Sequence, residues 1–183
     1  MKINLTSLAG LFVVESFRLA DRRGEFSRLY CERELSAVVD SRRIVQVNQS
    51  RTSIIGAVRG LHFQYSPHAE MKLVRCLRGR VWDVALDLRA GSPTFLQWVG
   101  QELSPENGLM MVIPEGFAHG FQVLEADSEM LYLHTAFYTP EAEGGIHCQD
   151  PRLHIEWPLP ISDLSVRDHS HPLLSADFSG IML

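Results

Sequence analysis

The chain has 183 residues, with 17 Lys and Arg against 22 Asp and Glu for a net charge of −5, and it is 45% apolar and 21% charged. That is an ordinary globular composition, long enough for one domain to bury a core without staples and too short for a two-domain enzyme. No long Lys/Arg run gives it the electrostatic footprint of a nucleic-acid binder, so an anionic ligand must meet a locally assembled basic pocket.

In chain order, Met1–Tyr30 reads as mixed, with Val13, Phe17 and Leu19 suggesting strand and Asp21-Arg22-Arg23-Gly24 a turn. The apolar patch Leu8–Val14 is short and runs at once into Glu15, which predicts neither a secretory signal nor a membrane span. Arg33–Val39 and Glu141–Gly144 are short helices at most. Between Val45 and Leu133, runs rich in Val, Ile, Leu, Phe and Trp are punctuated by turn signals such as Arg78-Gly79-Arg80, Ala90-Gly91-Ser92-Pro93 and Pro114-Glu115-Gly116. Such spacing predicts an all-β sandwich or barrel. Within Val81–Leu88, Asp83 and Asp87 fall on one strand face, lining a barrel interior or facing water. After Pro158 the chain reads as loop. Cys31, Cys76 and Cys148 are odd in number and widely spaced, which suggests reduced thiols and a cytoplasmic protein.

Two half-motifs carry the chemistry. Gly108-(x5)-Pro114-x-Gly116-xx-His119 matches the second cupin motif except that Val123 takes its final Asn position, and Gly56-(x5)-His62-x-Gln64 with Lys72-(x6)-Gly79 outlines the first. In metal-dependent cupins these motifs supply three His and a Glu to one divalent ion. Here Gln64 replaces a His, and Lys72 stands where the Glu would be. An ammonium has no lone pair to offer and repels a cation, so no metal is expected at that position. A fixed cation beside a neutral imidazole does instead what a Lewis acid does for a carbonyl. Lys72 would stabilise an enolate oxygen while His62 removes the adjacent proton, and a donor aimed at such an oxygen is worth about 3–4 kcal/mol. The plainer alternative makes His62 a satisfied interior histidine and Lys72 a snorkelling surface lysine.

Several ordered blocks resemble the dTDP-4-dehydrorhamnose 3,5-epimerase family: Arg59-Gly60-Leu61-His62-Phe63-Gln64, Lys72-Leu73-Val74-Arg75-Cys76, Gly91-Ser92-Pro93-Thr94-Phe95 and Ile113-Pro114-Glu115-Gly116-Phe117-Ala118-His119-Gly120-Phe121. Asp21-x-Arg23-Gly24-x-Phe26 and Leu164-Ser165-x-x-Asp168 extend the resemblance over about Val13–Leu174. It implies a mainly β, cupin-type jelly-roll barrel with a few short helices, a single domain over 1–183, and a homodimer that exchanges N-terminal segments. It implies no cofactor, no membrane or nucleic-acid partner, and a nucleotide-sugar substrate whose 4-keto group acidifies C3 and C5.

By the same resemblance His62 is the base, Asp168 its orienting carboxylate, Lys72 the group facing the C4 oxygen and Tyr132 the proton donor on the other face. Arg23 and Arg59 match pyrophosphate contacts, with Arg23 serving the partner's site. Gln46 and Asn48 match nucleoside contacts and Tyr138 the ring stacked on thymine, while His119 and Glu143 match sugar-side residues. Arg167 is a phosphate neighbour by position alone. In a regular strand Arg59 and His62 face opposite sides, so a bulge at Gly60 or a bend is required if both serve one pocket. Leu19, Arg28, Gln49, Glu70 and Met71 depart from the common pattern: Arg28 stands where a Glu is frequent, and Glu70-Met71 where Gln-Gly is common. The nearest alternatives are a mono-epimerase or ketoisomerase of a related deoxysugar nucleotide, a non-catalytic nucleotide-sugar-binding cupin, and a metal-binding cupin.

Overall fold

The computed structural model describes residues 1–183. Its strands are β1 (Lys2–Leu5), β2 (Phe12–Glu15), β3 (Arg18–Asp21), β4 (Gly24–Ser27), β5 (Gln46–Thr52), β6 (Val58–Gln64), β7 (Lys72–Arg78), β8 (Val81–Asp87), β9 (Trp98–Leu103), β10 (Leu109–Ile113), β11 (Phe117–Val123), β12 (Ser128–His134) and β13 (Glu143–Gly145), with helices α1 (Glu32–Val39) and α2 (Val166–His169). They form a six-stranded sheet in the order β1-β2-β10-β7-β12-β5, a five-stranded sheet in the order β13-β6-β11-β8-β9, and the separate ribbon β3-β4. All pairings between strands are antiparallel.

Period-two alternation sorts the side chains into three apolar clusters. Val74, Cys76, Met111, Ile113 and Met130 of the six-stranded sheet meet Val81, Ala85, Phe117, Phe121 and Val123 of the five-stranded sheet between the two layers. The opposite face of the six-stranded sheet, with Leu73, Met110, Val112 and Leu133, is covered by Leu35, Val38 and Val39 of α1. Those three residues lie on one face of a helix whose first turn carries Glu32 and Glu34, the charges a helix N-terminus favours. Outside the five-stranded sheet, Val84, Leu86 and Leu88 pack under Leu153 and Ile181 of the C-terminal segment. Ile181 also donates its N–H to the Leu88 carbonyl at 2.7 Å.

Three expectations change in detail. Glu141–Gly144 is no helix: Pro140–Ala142 makes a single 3-10 turn and Glu143–Gly145 is an edge strand on β6. The tail is not all loop, because Ser165 caps the short helix α2 with its hydroxyl accepting from the Asp168 N–H at 3.0 Å. Phe17 lies between strands rather than in one.

Asp83 and Asp87 share the inward face of β8 and are both fully buried, so neither faces water. Asp87 accepts from Arg89 Nη2 at 2.7 Å, Ser92 Oγ at 2.6 Å and Thr94 Oγ1 at 2.7 Å, which closes the turn towards β9. Burial alone would raise its pKa, but these donors win and hold it down from 3.8 to about 2. Stability from this group is therefore full above the ordinary carboxylate range and is lost as pH falls through the folded value of about 2. Asp87→Ala should cost about 2 kcal/mol in denaturant unfolding at pH 7, since it removes the partner of a partly buried guanidinium and of two hydroxyls. The gap to wild type should close only near pH 2, and a neutral substitution at pH 7 would refute the account.

Candidate active site

A cavity of about 840 Å³ opens between the two sheets, at the end where inward positions are polar. On the six-stranded side these are Asn48 and Ser50 of β5, Lys72 of β7, and Tyr132 and His134 of β12. Antiparallel register brings them level, with Tyr132 opposite Asn48 and His134 opposite Lys72. The facing wall comes from Arg59, His62 and Gln64 of β6 and His119 of β11.

Arg59 and His62 reach the same cavity because β6 is bulged. His62 pairs with His119 and Arg59 with Phe121, so Gly60 and Leu61 together oppose Gly120. Gly60 has φ +116°, and a Cβ there would lie 2.6 Å from both the Gly120 Cα and the His119 carbonyl oxygen. Only glycine fits where the two backbones touch.

Each cavity imidazole on these strands is tied to a carboxylate. His62 Nε2 lies 2.7 Å from Asp168 Oδ1, His119 Nε2 2.8 Å from Asp83 Oδ1, and His134 Nδ1 2.7 Å from Glu70 Oε2. An ionised carboxylate only accepts, so His62 carries its proton on Nε2 and leaves Nδ1 as its acceptor. Asp168 is 2% exposed and takes a second, longer bond from the Gly60 N–H at 3.4 Å. Burial pushes its pKa up, yet the His62 hydrogen bond and charge, with Gly60 and Ser165, leave it lowered overall. Asp83 behaves oppositely, because complete burial outweighs His119 and raises it.

Glu70 also holds Lys72 Nζ at 3.1 Å, so one buried carboxylate bridges the lysine and His134. Burial would raise Glu70 as well, but His134 and Lys72 bring it below its usual value. Tyr132 Oη lies 2.8 Å from Ser50 Oγ, and burial drives its pKa far above the ordinary phenol value, so it is a proton donor at neutral pH. Arg167 pairs with Glu143 at 3.0 Å, and its Nη2 approaches His62 Nε2 at 3.3 Å. Tyr138 donates to the same Glu143 at 3.0 Å and is half exposed. Arg59 donates from Nε to Thr52 Oγ1 at 2.7 Å and has no carboxylate partner.

Every residue singled out from the sequence lines this cavity except Arg23 and Gln46. Gln46 supports it from behind, accepting from the Tyr138 N–H at 3.1 Å. Arg23 is 82% exposed at the tip of the β3-β4 ribbon, paired with Asp21 at 2.7 Å and away from its own chain's cavity. Arg28 is likewise outside, engaged by Glu34. Lys72 is no snorkelling surface residue and Tyr132 bonds a side chain rather than backbone. Gln64 is committed to structure, since its amide nitrogen donates to the His68 carbonyl at 2.9 Å and its oxygen accepts from the Thr139 N–H at 2.7 Å. Sequence reasoning missed Ser50, Asp83 and His134 as site groups. Ser50 and His134 had a signal, each being two residues along a strand from a residue already chosen.

The model of the dTDP-4-dehydrorhamnose 3,5-epimerase family matches residues 5–176. A dTDP-4-dehydrorhamnose 3,5-epimerase of Sinorhizobium fredii is 44% identical over 169 residues, 92% of this chain and 87% of that protein. A dTDP-4-dehydrorhamnose 3-epimerase of Streptomyces niveus is 36% identical over 176 residues, 96% of this chain and 84% of that protein. Among solved structures, a dTDP-6-deoxy-D-glucose-3,5-epimerase of Legionella pneumophila in complex with dTDP-4-keto-L-rhamnose superposes with a TM-score of 0.90 at 43% identity, covering 94% of this chain and 92% of that one.

The bulge supplies a direct test. Gly60→Ala adds a methyl that strikes backbone and imposes a left-handed φ on a residue with a Cβ, which together cost about 3 kcal/mol. Urea unfolding should show that loss, and a Gly60→Ala variant as stable as wild type would mean that the β6 and β11 backbones do not touch.

Proposed function

The chain belongs to the dTDP-4-dehydrorhamnose 3,5-epimerase family and is an isomerase with a cupin-type fold, and on that premise we propose that it inverts C3 and C5 of a dTDP-4-keto-6-deoxyhexose. His62 removes the proton alpha to the ketone through Nδ1, and the C–H electrons pass to the C4 oxygen as an enolate. Lys72 stabilises that oxygen, and Tyr132 returns a proton to carbon from the other side. Asp168 keeps the imidazole in the tautomer that can accept. The observation that supports this reading is that base and acid stand on opposite walls: His62 on β6 of the five-stranded sheet, Tyr132 on β12 of the six-stranded one. Inversion requires that opposition, whereas a base alone returns the proton to the face it came from.

For the nucleotide, Arg59 is the cavity cation with no carboxylate of its own, which suits a guanidinium fork to a diphosphate. Tyr138 offers an open ring for the base, with Asn48 and Gln46 alongside. Glu143, His119 and Arg167 bound the sugar side. No organic or metal cofactor enters these steps. The buried thiols of Cys76 and Cys148, whose pKa values burial raises to about 11, are unreactive and suit a reducing cytoplasm. No helix is long and apolar enough to cross a membrane.

We also infer a homodimer in which the N-terminal segments are exchanged. The β3-β4 ribbon joins neither sheet and leaves Leu19 and Phe26 exposed. A lone two-stranded ribbon is marginal in water and needs a surface to cover it. Arg23 at its tip would then reach the partner's cavity.

The substrate incubated in D2O should gain deuterium at both C3 and C5 by NMR. Label at C3 alone would favour the mono-epimerase reading, which the 36% identical 3-epimerase of Streptomyces niveus also supports, and no label would overturn the enzyme. His62→Ala should slow exchange by about 10²–10⁴-fold. Tyr132→Phe should still exchange solvent deuterium but invert little, because His62 alone can return the label to its original face. Loss of exchange and inversion together would assign Tyr132 a different role.

The exchange of segments is tested by complementation. Mixed dimers of Arg23→Ala and His62→Ala protomers should regain one intact site if Arg23 acts across the interface. Activity no higher than that of the parents would show that it acts within its own chain.

A further inference from the structure

Four of the eight histidines gather around α2. The His62 and His171 ring centroids are 5.3 Å apart, and those of His147 and His169 are 5.8 Å apart. The mechanism uses His62 and Asp168 but has no part for His171. Its ring packs against the bare α-carbon of Gly145, the residue paired with His62 across β13 and β6, and a Cβ on Gly145 would fall 2.2 Å from it. His171 Nε2 is buried with no hydrogen-bond partner, 3.7 Å from the Asp168 Oδ1 that also holds His62. One ligand atom from each of His62, Asp168 and His171 lies within 4.8 Å of the others.

We propose that His62, Asp168 and His171 form a binding site for a divalent transition metal, zinc being the best fit, and that metal bound there arrests proton transfer. Two imidazole nitrogens and a carboxylate oxygen are a donor set that zinc accepts, with a fourth position left for water. Zinc bonds of about 2.0–2.1 Å in a tetrahedron put the ligand atoms about 3.3 Å apart. The present 2.7 Å and 3.7 Å separations from Asp168 bracket that value. The site is distinct from the usual cupin metal position, where Lys72 and the committed amide of Gln64 stand.

The arrest follows from proton counting and rests on the reading of His62 as the base. A neutral imidazole has one ring proton. With a metal on Nε2 that proton must sit on Nδ1, so the nitrogen that takes the substrate proton has no free lone pair. No proton is gained or lost overall, since the ring proton only changes nitrogen. Metal held behind the ring leaves Arg59, Asn48 and Tyr138 in place and displaces Arg167 alone of the substrate-side residues, so kcat falls far more than KM changes. Arg167 opposes the metal, with Nη2 3.3 Å from His62 Nε2 and Nε 3.6 Å from Asp168 Oδ1. It is half exposed and anchored to Glu143, so it can turn away, and its charge sets how tightly metal binds.

The test uses zinc chloride for calorimetry and turnover, and cobalt chloride for the visible spectrum of a bound ion. Wild type should bind one equivalent, give the intense visible bands of low-coordinate cobalt, and lose kcat in a way that a chelator reverses. His171→Gln should keep basal turnover and weaken both binding and inhibition by about tenfold or more. Arg167→Gln should tighten zinc binding, which a variant damaged only in folding would not do. No binding, or binding unchanged in His171→Gln, overturns the site. Stoichiometric binding at this site with unchanged turnover overturns the arrest, and with it His62 Nδ1 as the base, whereas D2O exchange that metal does not touch would separate that failure from a failure of the epimerase reading.

Discussion

A carboxylate bonded to an imidazole inside a β-sandwich is the interaction on which the cavity depends, and it occurs three times, at His62–Asp168, His119–Asp83 and His134–Glu70. An inward position on a sheet is an apolar one by default, and a polar group placed there costs free energy unless it is bonded. Each pair meets that condition with a neighbour from another segment, Asp168 of α2, Asp83 of β8 and Glu70 of the loop before β7, and so also fixes ring orientation. The three carboxylates do not have the same state. Asp168 and Glu70 stay below their usual values because donors outnumber the effect of burial, while Asp83 is raised where burial prevails. The group behind the base is therefore an anion, able to stabilise an imidazolium as it forms, whereas the one behind His119 is poorly suited to that task.

The net charge of −5 gives no hint of an anion site, and the cavity itself is not strongly basic. Lys72 is matched by Glu70 and Arg167 by Glu143, which leaves Arg59 as the cavity cation without a carboxylate. Two consequences follow. On the proposed reaction Lys72 would act on an enolate less as a free charge than as a donor held in one direction, since its bridging carboxylate offsets much of its field. A diphosphate would meet Arg59 alone among the cavity cations as an uncommitted charge, and the exposed Arg23 of a second chain would add to it only by exchanging its own Asp21 for phosphate.

Legibility differed by level for physical reasons. Alternation made the strands between Val45 and Leu133 readable, and the same alternation placed Asp83 and Asp87 on one inward face. Ordered motifs marked His62, Lys72, Tyr132 and Asp168, which all line one cavity. The conflict between Arg59 and His62 was visible as a parity problem, and the bulge at Gly60 resolves it in the way parity required. What stayed hidden depends on contacts between distant segments. α2 is four residues long and owes its existence to the Ser165 cap and to docking of Asp168 against β6, which no periodicity over so short a span announces. Glu70 could be read as a departure from the family pattern, but not as the bridge between Lys72 and His134, because His134 comes beside it only through the β7–β12 register.

That bridge bears on how many centres invert. Nothing in the His62, Lys72 and Tyr132 set favours C3 over C5, since both carbons flank the same ketone and share one enolate oxygen. The choice falls to what holds the sugar as it turns to present its second carbon, and on the six-stranded wall that surface is built by Lys72, Tyr132 and His134. The Tyr132 and His134 rings stack with centroids 6.1 Å apart, and Asn48 Nδ2 lies 3.3 Å from His134 Nε2. A lysine fixed by Glu70 and flanked by a stacked, doubly bonded imidazole would have little freedom to follow a ketone oxygen set against it. Inversion at both carbons would therefore require the sugar to move against a rigid wall, and a second enolate, on the other side of the ketone, to form after the first carbon has been reprotonated.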